Sequence, residues 1–454
     1  MRRKLYIIIF IFFSINLQAQ FNATDFDFVG NARVLDLNPG ANYQYRNLFG
    51  IPMLNNTQLF AGNTGFTLYD IFSPQGNFDD KVFQTIDQLK NTDFLLFHYR
   101  QDLFSYGYTD DLERFKYFGL YWEFDHIFYF PVEIMQLGID GNSSHMFEKY
   151  DLQNLASKTE FIQTIYYGVN QKVSRQLSFG YRFKLYSGIL NAQSTGNSGQ
   201  YYVSEGKNNY YEHHLTEINF SAQSSGYNED NADVNYYLGK LLFSRNYGPG
   251  IDLGFNYQYN DNWSFSGALL DLGFIYYTKD IHSYSAKGSY LYEGANLEFP
   301  ETGFIDYWEN IKDDLKKQTK SKENHDNYLS FRPTTLYNSI KYGLGNLKKQ
   351  DCEDFLNLQT EHTSFIGLTS FAQYRPVKIH LGLSAFYEQK WSKNFYTKIN
   401  YSVDNFSYSS IGAAMALNLG RLQLYLSADN LIGLSDYAKS HKQSINFGLN
   451  VVKW

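Results

Sequence analysis

From Ile251 to Asn260 the chain alternates without a break, with Ile251, Leu253, Phe255, Tyr257 and Tyr259 on one parity and Asp252, Gly254, Asn256, Gln258 and Asn260 on the other. Successive side chains of a strand point to opposite faces, so this stretch is a strand with one apolar and one polar face. Asp261 and Asn262 supply turn chemistry; Trp263, Phe265, Gly267 and Leu269 then resume the alternation and complete a hairpin. The same period recurs near 57–70, 93–109, 115–130, 161–174, 176–188, 210–222, 234–244, 284–293, 331–343, 361–375, 377–390, 395–408, 410–419, 421–430 and 442–453. Many of these runs exceed the roughly five or six residues of a soluble strand and approach the roughly 9 to 11 that a tilted strand needs in a bilayer. No repeat of propeller length accompanies them. The pattern predicts an all-β fold, a transmembrane antiparallel β-barrel of about 14 strands.

Composition agrees. Aromatic residues make up 19% of the chain, 41 Tyr and 39 Phe among them, beside only 8 Pro, and the mean hydropathy is -0.43. An apolar, aromatic-girdled outside and a polar inside average to such a mildly hydrophilic chain.

The ends carry their own signals. Arg2, Arg3 and Lys4, the apolar run Leu5 to Phe13 and the close at Ala19 read as a cleaved secretory leader over 1–19. Its loss takes the formal charge from -7 to -10, which disfavours a nucleic-acid partner. At the other end Ile445, Phe447, Leu449 and Val451 share one face, and Trp454 closes the chain on the opposite parity. Phe447, Leu449, Val451 and Trp454 are thus the expected signal for barrel-assembly machinery, with outer-membrane lipid as the lasting partner.

Asn22 to Asn47 shows no sustained alternation. Backbone without a regular pattern is tolerated at membrane depth only where protein or water surrounds it. The expected organisation is therefore a hatch-like segment over 20–56, then a barrel over 57–454. Helical insertions fall near 78–90, from Phe78, Val82, Phe83, Ile86 and Leu89, and near 303–318, from Phe304, Trp308, Ile311 and Leu315. Met146 to Leu155 is a weaker helical candidate. Such helices pack on a rim or lie in a loop, or fold inward to block the lumen.

Little in the chain points to catalysis. His213, His214 and Glu217 stand in an alternating run, where their offsets do not converge on a metal. Asn228 to Asp233 lacks the glycine and distal glutamate of a calcium loop. Gly343-Leu344-Gly345 has the wrong spacing to Lys348 for a phosphate loop, and no Gly-x-Ser-x-Gly or His-Glu-x-x-His is present. The lone Cys352 has no cysteine partner. No cofactor and no metal are expected, and a non-enzyme is favoured over an outer-membrane hydrolase assembled from separate strands.

Several stretches, ARVLDLNPGANY (32–43), PVEIMQLGIDGN (131–142), LSFGYRFKLYSGILN (177–191), GPGIDLGFNYQYNDNWSFSGALLDLGFIYY (248–277) and LYLSADNLIG (424–433), resemble in order and spacing an uncharacterised family of Bacteroidota outer-membrane barrels. That family is related in fold to long-chain fatty-acid transporters and to PorV-type secretion barrels. The resemblance implies a hatch fixed by Asn38, Pro39 and Gly40, where the usual third residue is Ala. It also implies a passive transporter or binder of small apolar solutes, or else a scaffold barrel serving a secretion partner. Pro39 fixes its own φ and pushes Asn38 toward extended geometry, so an ordinary turn explains the tripeptide as well. Removing about Thr24 to Ala41 is expected to raise permeability without preventing insertion.

Overall fold

The computed structural model describes residues 23–43, 45–207, 210–227, 239–241, 244–293, 307–345 and 362–453. The expected leader, Asn228 to Asp233, Cys352 and Trp454 lie outside the described residues.

The long alternating runs pair with their neighbours into one antiparallel barrel of 14 strands. In chain order these are β1 (Asn47–Gly50 and Thr57–Asn63), β2 (Phe94–Thr109), β3 (Phe115–Tyr129), β4 (Ser157–Lys172), β5 (Leu177–Ser194), β6 (Tyr247–Gln258) and β7 (Trp263–Tyr277). Then follow β8 (Tyr328–Phe331 and Thr335–Leu344), β9 (Ser364–Gln373), β10 (His380–Lys390), β11 (Phe395–Val403), β12 (Ser410–Leu419), β13 (Leu422–Ala428) and β14 (Lys442–Lys453). The ring closes between β14 and β1, with Asn47 opposite Lys453 and Thr57 opposite Phe447. Strand pairing thus begins at Asn47, inside the span expected for the hatch.

Two strands are interrupted. Residues 51–56 bulge between the halves of β1, sending Met53 and Leu54 outward and Asn55 and Asn56 inward. In β8, Pro333 has no N–H for the ladder, and 332–334 leave the strand between its two halves. Opposite that break Asp271 of β7 adopts a φ of 56°.

The two faces follow the parity of the sequence. On β14, Phe447 and Val451 are exposed and Leu449 is half-buried, while Ser444, Asn446 and Asn450 are buried inside. Leu272, Ile340, Leu368, Leu383, Ile399 and Met415 continue an apolar outer band. Tyr259, Trp263 and Trp391 are exposed near the end where the ring's first strand begins at Asn47 and its last finishes at Lys453, and Tyr276, Tyr374 and Tyr408 near the other. We call these the termini end and the loop end. Turns at the termini end are short at 110–114, 173–176, 259–262, 391–394 and 420–421, with one long connection, 345–363, between β8 and β9; the loop end bears the described helices and the other long insertions.

Among those helices, Phe78–Gln88 is capped by Asn77, and Tyr307–Gln318 covers the described part of the second expected insertion. Other expectations are corrected. Met146 to Leu155 forms no α-helix but a two-residue strand, Tyr150–Asp151, and a short turn of 3-10 helix, Leu152–Asn154. The helix of this connection lies earlier, at Val132–Asp140, between Pro131 and Gly141 with its φ of 75°. The first strand stops at Asn63 because the Thr67–Asp70 capping box starts a helix at Leu68. Within the run near 234–244 the described residues 239–241 are helical. Beyond the barrel, Ser198–Glu205, Tyr211–Ser225, Ile281–Tyr292 and Lys322–Asn324 pair into a sheet contributed by two separate insertions. Among the described residues no helix is long and apolar enough to cross a membrane.

Candidate functional site

The lumen is filled, and at the termini end it is filled by the chain's own N-terminal segment. Residues 23–43 and 45 run inside the ring without joining it as a strand. Polar inward residues of the wall replace the ladder as partners, which satisfies backbone groups that would otherwise be buried unpaired. Gln423 of β13 accepts from the Ala32 amide at 2.6 Å and donates to the Gly30 carbonyl at 3.1 Å. Glu388 accepts from the Val29 amide at 3.3 Å, and Lys398 donates to the Phe26 carbonyl at 2.7 Å. Phe26 lies flat on Tyr337, with ring centroids 4.7 Å apart, in a cluster with Ala268, Leu270, Phe371 and the segment's Leu37. Phe28 fills a second cluster with Tyr396, Ala414, Ala416 and Tyr425.

Asn38, Pro39 and Gly40 sit on the wall at one place. Gly180 of β5 and Gly254 of β6 are register partners, and together they leave a notch without side chains. A Cβ on Gly180 would overlap the Pro39 carbonyl, and one on Gly254 would overlap the Asn38 side chain. A Cβ on Gly40 would in turn meet the Gly254 backbone, so the close approach requires glycine where the resemblance has Ala. Asn38 accepts from the Gly40 amide at 2.9 Å and donates to the Phe255 carbonyl at 3.1 Å. Asn170 donates to the carbonyls of Pro39 and Ala41 at 2.6 and 3.0 Å.

Above the notch the segment carries charge into a charged lumen. Arg33 meets Asp36 at 2.7 Å and Asp102 at 2.5 Å, and Arg182 meets Asp36 at 3.2 Å. Burial alone would raise the Asp36 carboxyl, but Arg33, Arg100 and Arg182 hold it below the usual carboxylate range. Asp25 has the opposite balance. Burial pushes it up to about 6, with Asp429 adding to the rise against hydrogen bonds from Ser427 and Asn446.

Between the segment and the loop end lies a cavity of about 50 Å³. Asp36 and Leu37 form part of its lining below; Glu123, Asp125, Arg332 and Arg375 form part of it above, with Arg100, Arg182, Asp271, Leu270 and Tyr337 among the rest. Its lining thus joins charged groups to members of the Phe26 cluster.

His213 and His214 do not converge with Glu217. His213 pairs with the Tyr201 hydroxyl at 2.6 Å, His214 with Ser204 at 2.9 Å, and Glu217 takes a φ of 52°. No group of three or more metal-ligating side chains occurs among the described residues. Sequence reasoning left the charged lumen unnamed, although its signal was present: Glu123 and Asp125, like Arg182 and Lys184, occupy the inward parity of otherwise aromatic strands.

Wall, segment and chamber together define a closed β-barrel filled from within by its own N-terminal segment. The chain belongs to a family described as "Family of unknown function (DUF5723)", matched over residues 39–429. No curated protein matches it. Among solved structures it is similar to a Ralstonia pickettii toluene transporter, with 7% identity, 97% of this chain and 100% of that chain covered, and a TM-score of 0.42. A Pseudomonas putida toluene transporter gives 8%, 96%, 97% and 0.39, and a Pseudomonas aeruginosa FadL homologue 9%, 93%, 94% and 0.43. Likeness at this level carries no inference about what this chain binds.

Proposed function

We propose that the protein is a non-enzymatic integral outer-membrane barrel that binds or passes a small solute, with its N-terminal segment as the hatch. The apolar outer band between two tiers of exposed Tyr and Trp supports the membrane reading, and five short turns at the termini end, against one long connection there, support a periplasmic position for that end. One observation carries the hatch: residues 23–43 lie inside the ring yet join it through side chains, so they can leave while the wall stays paired. Phe26 and Leu37 occupy the inward apolar site of Ala268, Leu270, Tyr337 and Phe371, which opens onto the charged cavity. A solute that takes their place has an apolar body and a polar head.

Phe26→Ala vacates that site. The variant is expected to bind hexanoate or benzoate in saturation-transfer NMR, whereas the intact protein binds neither. A folded variant without binding overturns the solute reading. Fractionation tests the location: the protein is expected in outer membranes as a heat-modifiable band, and recovery as a soluble monomer without detergent contradicts it. A scaffold role is the second reading, favoured by the sheet that two insertions build beyond the barrel. A stoichiometric large partner in native purification would support it.

A further inference from the structure

At the loop end the wall's own side chains reach across the lumen, and among the described residues of the N-terminal segment Thr24 comes nearest to that end, where it meets Asp429 just past β13. Arg332, at the break in β8, reaches across to β3 and β4, where it meets Glu160 at 2.6 Å and also Glu123. Ser330 donates to the same Glu160 at 2.6 Å. Arg375, just past β9, grips both carboxylate oxygens of Asp125, at 2.5 and 3.0 Å. Strands on different sides of the ring are thereby drawn together. Beside this clamp Phe94 stacks on His380 with centroids 4.4 Å apart, and Phe406 closes edge-on against Phe94 and Phe60.

We propose that Arg332 and Arg375 are the bolts of a second gate, built into the wall, and that the cavity below them is a chamber shut from both sides. This rests on the reading of the barrel as a conduit. Three observations support it. Buried ion pairs regain hydration when they separate, so they hold a closure without the permanence of a packed apolar seam. The break at 332–334 detaches Tyr328–Phe331 from the rest of β8, which gives the clamp a hinge. Finally, Arg332 Nε is buried with no partner among the described residues, and the adjoining cavity of about 50 Å³ has room for the acceptor it lacks, a water or a solute oxygen. On this proposal, removing Thr24 to Ala41, which the sequence led us to expect would raise permeability, opens the chamber to the periplasm and leaves the outer door shut.

A cysteine in the chamber reads the two doors separately. Thr335→Cys lines the cavity; Cys352→Ser removes the other thiol. The probe is a membrane-impermeant cationic methanethiosulfonate, applied to intact cells or to opened outer membranes. With the full chain, neither preparation is expected to label. With 24–41 deleted, opened membranes label and intact cells do not. With the clamp neutralised as a set (Arg332→Gln, Glu123→Gln, Glu160→Gln) in the full chain, intact cells label at least about tenfold faster than the parent. Equal labelling of the deletion from both sides, or a heat-modifiable clamp variant that stays dark on cells, overturns the second gate. Absence of labelling of the deletion in opened membranes counts instead against the hatch. If the triple variant does not assemble, Arg375→Gln with Asp125→Asn is read in the same way.

Discussion

The two closures of the lumen are made by different means. At the termini end the blocking element is a stretch of chain with no strand pattern, held by hydrogen bonds to side chains, two aromatic clusters and a glycine notch. At the loop end it is the wall itself, pinched by two arginines and three carboxylates. A separate segment can leave without breaking a single strand pair, whereas the clamp cannot open without moving strands. The termini-end closure should therefore respond to small changes locally, and the loop-end closure should couple to the stability of the barrel.

The largest effect expected is that of Arg332→Ala. It leaves Glu123 and Glu160 buried without the Arg332 guanidinium, with Lys158 still 3.4 Å from Glu160, at a cost of about 3–5 kcal/mol. Unfolding in urea should show a barrel destabilised as a whole; a change confined to the N-terminal segment would erase the contrast. Phe26→Ala removes a fully buried ring from the N-terminal segment, again about 3 kcal/mol, but the loss should fall on the segment alone. Limited proteolysis is expected to clip near residue 26 while heat-modifiability is retained. Gly180→Ala forces the Pro39 carbonyl off the notch at about 1–3 kcal/mol, so the segment should loosen around Asn38 first. Normal protease resistance there would remove the notch from the account.

The smallest effect is that of pH. The Asp25 carboxyl is raised when seated, so its contribution is complete below its ordinary value near 3.8 and is lost as pH rises through about 6. Asp36 is held low, so its contribution is present above that ordinary value and fades only in stronger acid. Lowering pH from 7 to 5 should therefore seat the N-terminal segment more tightly by about 1 kcal/mol. Asp25→Asn should abolish that dependence, and a dependence that survives it must come from elsewhere.

Much of the wall was legible in the sequence because strand parity and burial coincide there: Phe447 and Val451 face out, Asn446 and Asn450 face in. The turn at Asp261-Asn262 and the helix at Phe78 followed local rules of the same kind. The site was less legible. That Arg332 meets Glu160, or that Gly180 lies beside Pro39, depends on strands far apart in sequence, and no period reports which inward residues face each other across a lumen. The connection after β3 misled for a local reason, since Pro131 and Gly141 framed its helix more strongly than the apolar spacing after Met146. Asn38-Pro39-Gly40 stood out in the sequence as a turn, but its close fit became visible only against the paired glycines.

Hydrogen exchange of the purified barrel tests the central claim, that the N-terminal segment is seated inside a closed ring. Peptides covering residues 23–43 should exchange on the slow timescale of β6 and β13, although they form no ladder, because wall side chains and burial protect their amides. Exchange of those peptides as fast as the exposed turn at 391–394 would contradict it.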